Sequence, residues 1–162
     1  MSGITLVVED QKWRSHRGLL TRLENAADKA RKAVKMRAGF TILLTHDKKL
    51  KALNRDYRGK DKATNVLSFP VACAKDRAAG RSLSCLPAYC GDIAIAYGVT
   101  QKQARAQTKS FADHAVHLVV HGVLHLAGYD HERVQDARRM EPLELRILTG
   151  LGIADPYVVP PP

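Results

Sequence analysis

Residues 110–131 read SFADHAVHLVVHGVLHLAGYDH. Ser110 and Asp113 form an S-x-x-D capping box, so a helix is expected to start near Phe111. His121 and His125 are then about 40° apart round that helix, and both imidazoles can reach one ion. A helix continued to residue 131 would place His131 about 240° round from His125, on the wrong face. Gly128 supplies the break, because glycine accepts the left-handed conformation that ends helices. The chain then turns through Tyr129 and Asp130 and brings His131 back. Three imidazoles with a fourth position open is the arrangement of a catalytic metal site, whereas structural zinc sites are closed. One zinc ion (Zn2+) per chain is expected; nickel, copper and iron also accept imidazole, so the donor set leaves the metal open.

His114 and His117 share the histidine face, since 114, 117, 121 and 125 span only about 80° of the wheel. They are candidates to hold the outer nitrogen of a metal-bound ring or to touch substrate, with ordinary surface or capped histidines as the alternative. Asp130 either orients a ligand or caps the next helix.

Outward from this helix, the chain reads as strands first and helices last. ITLVV (4–8), FTILLT (40–45), NVLSF (65–69) and DIAIA (92–96) have strand character. A helix over 19–34 would bury Leu19, Leu23, Ala26, Ala27, Ala30 and Val34, and a short basic helix follows at about 47–54. Helices are also expected over 99–107, 111–127 and 134–148. Between the last two strands, residues 72–90 read as a long irregular loop. The expectation is an α+β fold: a small mixed sheet of about four strands packed with about five helices in a single domain, residues 1–152. A Pro-rich tail, 153–162, cannot continue the last helix.

The 162 residues, 45% of them apolar, suit a globular domain with a sizeable core. No apolar run is long enough to cross a membrane, and MSGITLVVEDQ lacks the basic start of a signal peptide. Three cysteines without C-x-x-C spacing give neither a disulfide framework nor a cysteine-rich zinc site, which agrees with a cytoplasmic protein. Lysine and arginine number 26 against 16 acids, a net charge of +10 that favours polyanions.

The spacing H-x-x-x-H-x-x-G-x-x-H also matches that of the metzincin peptidases. Those enzymes carry a glutamate after the first histidine as general base. Gly122 stands there instead, and amide cleavage becomes a poor expectation. Phosphodiester cleavage asks less: the metal lowers the pKa of water, and a nearby arginine stabilises the transition-state charge. The absent carboxylate would also spare a phosphate from repulsion. LNRDYRGKDKATNVLSFP (53–70) supplies the arginine, gathering Arg55, Arg58, Lys60 and Lys62 around Gly59. Lys102, Arg105 and Lys109 extend that footprint or form a solvated face.

These stretches, with GDIAIA (91–96) and RRMEPLELRIL (138–148), resemble the YbeY family of bacterial endoribonucleases and ribosomal RNA maturation factors. The resemblance runs from Leu53 to Leu148. It implies a single-domain α+β fold, with zinc held by His121, His125 and His131 and Arg58 as the functional arginine. It implies cleavage of single-stranded RNA in maturing the 3′ end of 16S ribosomal RNA, in late small-subunit assembly and quality control. RNA of the small subunit, ribosomal proteins and assembly GTPases are the partners it suggests; no membrane or DNA partner is expected. Asn65 and Ala63 depart from the family's more usual aspartate and proline. Two alternatives stand beside this reading: a zinc peptidase that recruits its base from His117 or Asp130, and a non-catalytic assembly factor whose metal holds helix and turn together.

Overall fold

The computed structural model describes residues 3–70, 89–129 and 134–154, the last stretch with side chains from 138 onward. Four strands form one mixed sheet in the order β1-β2-β4-β3: β1 (Ile4–Val8), β2 (Gly39–Thr45), β3 (Val66–Pro70) and β4 (Tyr89–Ala96). β1, β2 and β4 run parallel, and β3 runs antiparallel beside β4. Among the described residues there are five α-helices: α1 (Leu19–Ala33), α2 (Asp47–Arg58), α3 (Tyr97–Ala106), α4 (Phe111–Leu126) and α5 (Val134–Gly150). The α+β expectation holds.

Alternation along the strands divides the core in two. Ile42, Leu44, Ile93 and Ile95 face a large cluster built with α1, α4 and α5. Leu43, Leu67, Ala94 and Ala96 face the other way, where α2 contributes Leu50 and Leu53. α1 buries Leu19, Leu23, Ala26, Ala27 and Ala30 as the periodicity requires. Trp13, wholly buried, is tied in by its indole N–H, which donates to the Thr45 carbonyl at 2.9 Å.

Two elements outrun their sequence reading. α2 continues four residues past Asn54 and takes Arg55 and Arg58 into its last turns, rather than leaving them in a turn. Gly59, in the left-handed region at φ +70°, closes the helix: its N–H donates to the Arg55 carbonyl at 3.1 Å and Lys60 N–H to the main-chain carbonyl of Asn54 at 3.2 Å, while the buried Asn54 amide donates to the Lys62 carbonyl at 3.0 Å. β4 begins at Tyr89, so the irregular stretch ends earlier than residue 90; residues 71–88 lie outside the described residues, as does the tail from 155.

α4 lies close against the sheet. α4 and β3 are joined where Ser68 Oγ donates to the Gly122 carbonyl at 3.2 Å. A Cβ on Gly122 would stand 2.9 Å from Ile93 Cγ2 and 3.2 Å from its Cδ1. Gly122 therefore points at β4, not toward the histidine face. Its glycine is set by helix-to-sheet packing, which corrects the idea that it keeps a carboxylate away from the metal position. A methyl group there is expected to cost about 1–2 kcal/mol through overpacking, despite alanine's better helix propensity. Denaturant unfolding of Gly122→Ala, alone and with Ile93→Ala, checks this: the two substitutions should couple, with the glycine change costing less once Ile93 is shortened.

Candidate metal centre

α4 starts where Ser110 Oγ accepts from Asp113 N–H at 3.1 Å, as the capping box requires. It ends in a Schellman turn. Tyr129 N–H donates to the Leu124 carbonyl at 3.0 Å, Gly128 N–H to the His125 carbonyl at 2.9 Å, and Gly128 takes φ +95°. The break expected at Gly128 is there. His131 and Asp130, to which the turn leads, lie outside the described residues.

Four histidines line one side of α4. His121 Nε2 and His125 Nε2 stand 3.0 Å apart. Two nitrogens on one tetrahedral zinc, each about 2.0–2.1 Å from it, would be roughly 3.3–3.4 Å apart, so the pair needs to open only by tenths of an ångström. Behind them sits a residue that the sequence reading gave no role. Glu144 of α5 is 0% exposed. Its Oε2 accepts from His121 Nδ1 at 2.9 Å and its Oε1 from His117 Nε2 at 2.6 Å. Burial alone would raise its carboxyl pKa, but the hydrogen bonds from His117 and His121 outweigh this and hold it below the usual carboxylate range.

The bond from Nδ1–H to Glu144 fixes the tautomer of His121 and leaves the lone pair on Nε2, the atom that faces His125. A carboxylate behind an imidazole in this way is the usual support of a metal-ligating histidine. His117, His121 and Glu144 themselves offer ligand atoms within 4.8 Å of one another, so this cluster could hold a metal ion. The sequence did carry a signal for Glu144: it interrupts the buried stripe Met140, Ile147, Leu148 of α5, and a buried carboxylate needs partners.

His114 plays a different part. It is 3% exposed, and its Nε2 lies 3.1 Å from Gln103 Oε1, which also accepts from the Asn65 amide at 2.9 Å. His114 thus ties α4 to α3 and to the start of β3. Burial first, then the neighbouring His117 and Lys109, lower its pKa from 6.5 to about 4.

The basic residues gather on α2 and its exit. Arg58 is the last residue of α2, exposed and followed by Gly59. Arg55 pairs with Asp56 at 3.0 Å on the surface, and Lys60, Lys62, Lys102 and Arg105 are exposed. α2 covers the sheet face opposite α4, so Arg58 and the histidines are on different faces. Two contacts nevertheless bring them to the same end of edge strand β3. Tyr57 packs on Phe69, with ring centroids 5.4 Å apart, and Leu126 approaches Gly91, the partner of Pro70.

The fold is thus an α+β domain whose helix-borne histidines share a buried carboxylate in a cluster that could hold a metal ion. The model of the family described as Endoribonuclease YbeY matches residues 7–152, and the chain belongs to that family. Relatives carrying the name Endoribonuclease YbeY include one from Rhodopseudomonas palustris (strain HaA2), 43% identical over 155 residues, covering 94% of this chain and 80% of that one. One from Chelativorans sp. (strain BNC1) is 47% identical, covering 87% and 82%. One from Maricaulis maris (strain MCS10) is 40% identical, covering 97% and 92%. The fold is similar to the solution structure of TM1509 from Thermotoga maritima, with a TM-score of 0.57 and 24% identity over 96% of this chain and 99% of that one. No helix of the described residues is long and apolar enough to cross a membrane.

The buried His114 gives a pH signature. Between about pH 6.5 and 4 the unfolded chain takes up a proton at this residue that the folded chain refuses, so stability falls as pH falls through that window. His114→Gln removes the difference and should flatten the acid limb of a stability–pH curve by about 2–3 kcal/mol at pH 4, measured by urea unfolding.

Proposed function

We propose that this chain is a metal-dependent endoribonuclease that cuts single-stranded RNA in maturing the 3′ end of 16S ribosomal RNA, during late assembly and quality control of the small subunit in the cytoplasm. Its family membership over residues 7–152 supports RNA as substrate. The observation that carries the metal-dependent reading is the orientation of His121: Nδ1 on Glu144, Nε2 turned to His125 Nε2 at 3.0 Å. In this reading His121, His125 and His131 hold one zinc ion, and Glu144 fixes the first of these rings rather than binding the metal. Both Glu144 oxygens accept hydrogen bonds from imidazole nitrogens, at 2.6 and 2.9 Å, which favours the supporting role.

When bound, the zinc lowers the pKa of water and polarises a phosphoryl oxygen. The chain's own residues do the rest. Glu144 holds the His121 ring in place and raises its basicity. His117, on the same carboxylate, holds Glu144 from its other oxygen and so keeps it aimed at His121. Arg58, at the end of α2, supplies planar donors for the charge that builds on the phosphate. Lys60 and Lys62, pinned by Asn54, guide the flanking backbone. Of the two bases the peptidase alternative would recruit, His117 is engaged with Glu144, and Asp130 lies outside the described residues.

Metal content and cleavage of a single-stranded RNA test this together. Wild type should carry about one zinc per chain and cut the RNA. His121→Ala should lose metal and cleavage; Arg58→Glu should keep the metal and lose about 100-fold or more in rate. Intact RNA with wild type at full metal occupancy would overturn the nuclease reading. Glu144→Gln separates support from ligation: metal affinity should drop about 10- to 100-fold without vanishing.

A further inference from the structure

The sheet face under α2 is only partly covered. A cavity of about 350 Å³ opens there between α2 and strands β2, β3 and β4. Leu43 and Ala94 make its floor and Tyr57 and Phe69 its aromatic side. Lys49 and Asp92 line it as the charged residues. Lys49, Leu53 and Tyr57 are four apart, so one stripe of α2 forms the wall. The exposed large hydrophobic side chains among the described residues, Val7, Tyr57 and Tyr89, all belong to this side of the sheet or its helix. Tyr57 is 70% exposed, an unusual position for an aromatic ring that only edges against Phe69.

The surroundings are cationic. From Asp47 to Lys62 the chain has seven lysines and arginines against three aspartates. Exposed aromatic rings set among cations are how proteins hold single-stranded nucleic acid: phosphates follow the charges and bases stack on the rings. The cavity itself suits a base and not a phosphate. Most of its lining is apolar, and the Asp92 carboxylate offsets the one cation, Lys49, so the cavity lacks the net positive charge that a phosphate needs. That carboxylate accepts from the Tyr89 hydroxyl, and its remaining acceptor sites suit the exocyclic amine of a base.

We propose that this cavity is a nucleobase subsite, which seats one unpaired base of an RNA strand against Tyr57 and Phe69. The proposal rests on RNA being the substrate, as argued above, and adds where a base is gripped. Tyr57 directly precedes Arg58. A base seated on Tyr57 leaves its neighbouring phosphates beside the end of α2, so the subsite sets which phosphate meets Arg58. The strand then continues round β3, whose Pro70 end lies beside the end of α4.

The test is equilibrium binding of a labelled single-stranded RNA oligomer to the zinc-loaded protein, repeated with one abasic nucleotide moved along the strand. Wild type should lose about tenfold in affinity when the abasic position falls at the subsite. Tyr57→Ala should bind the intact oligomer about tenfold more weakly and become indifferent to the abasic position, while Tyr57→Phe should behave as wild type. Because Tyr57 is largely exposed, Tyr57→Ala should melt close to wild type. Normal RNA binding by Tyr57→Ala, or a persistent abasic effect, overturns the subsite and leaves the nuclease reading standing; the cavity then serves a protein partner or none. A wild type that binds no RNA at all defeats both.

Discussion

The short distance between α4 and β4 is the constraint on which the rest depends. Gly122 has no side chain, and Ile93 fills the space where one would be. The helix can therefore lie low on the sheet, with Ser68 of the edge strand bonding its backbone. That depth leaves residues about 100° round the wheel, the histidines, at the helix's flank rather than against the strands. There they meet α5. A bulkier residue at 122 would lift α4 and move every imidazole with it.

α5 completes the arrangement with one carboxylate. Glu144 is fully buried, and a buried charge persists only when it is paired and hydrogen-bonded. Its two oxygens meet His117 and His121, so one residue orders two rings and selects the tautomer of His121. The same bonds that offset the burial of Glu144 aim His121 Nε2 at His125. Stability and site geometry are here the same contacts. His114, one turn earlier, is tied instead to Gln103 and Asn65, which joins α4 to α3 and β3. The histidine row thus has two jobs: its first member fastens helices, and its later members face the candidate metal position.

The two faces of the sheet divide the chemistry. The histidines occupy the well-packed face, and the cations of α2 and its exit, with the exposed Tyr57 and Tyr89, occupy the thinly covered one. Edge strand β3, five residues long, separates them. Such a division keeps the cations of α2 away from the imidazoles, whose neutral form metal binding needs.

Much of this was legible in the sequence. The strand and helix periodicities, the capping box at Ser110, the break at Gly128 and the pairing of His121 with His125 are local, and local geometry follows from spacing alone. The length of α2 was not, because Gly59 reads equally as the centre of a turn or as the end of a helix, and the Asn54 amide that secures the exit at the Lys62 carbonyl leaves no mark on propensity. The meaning of Gly122 was misread for a similar reason: a missing side chain looks like a missing base until the neighbour that fills its space is known. Glu144 was visible only as a charge in an apolar stripe. The residues it serves are 23 and 27 positions away, and only the packing of α5 on α4 brings them together. The sequence by itself determined which side chains share a helix face. The tertiary structure alone decided which faces meet, because that depends on how closely two elements can approach.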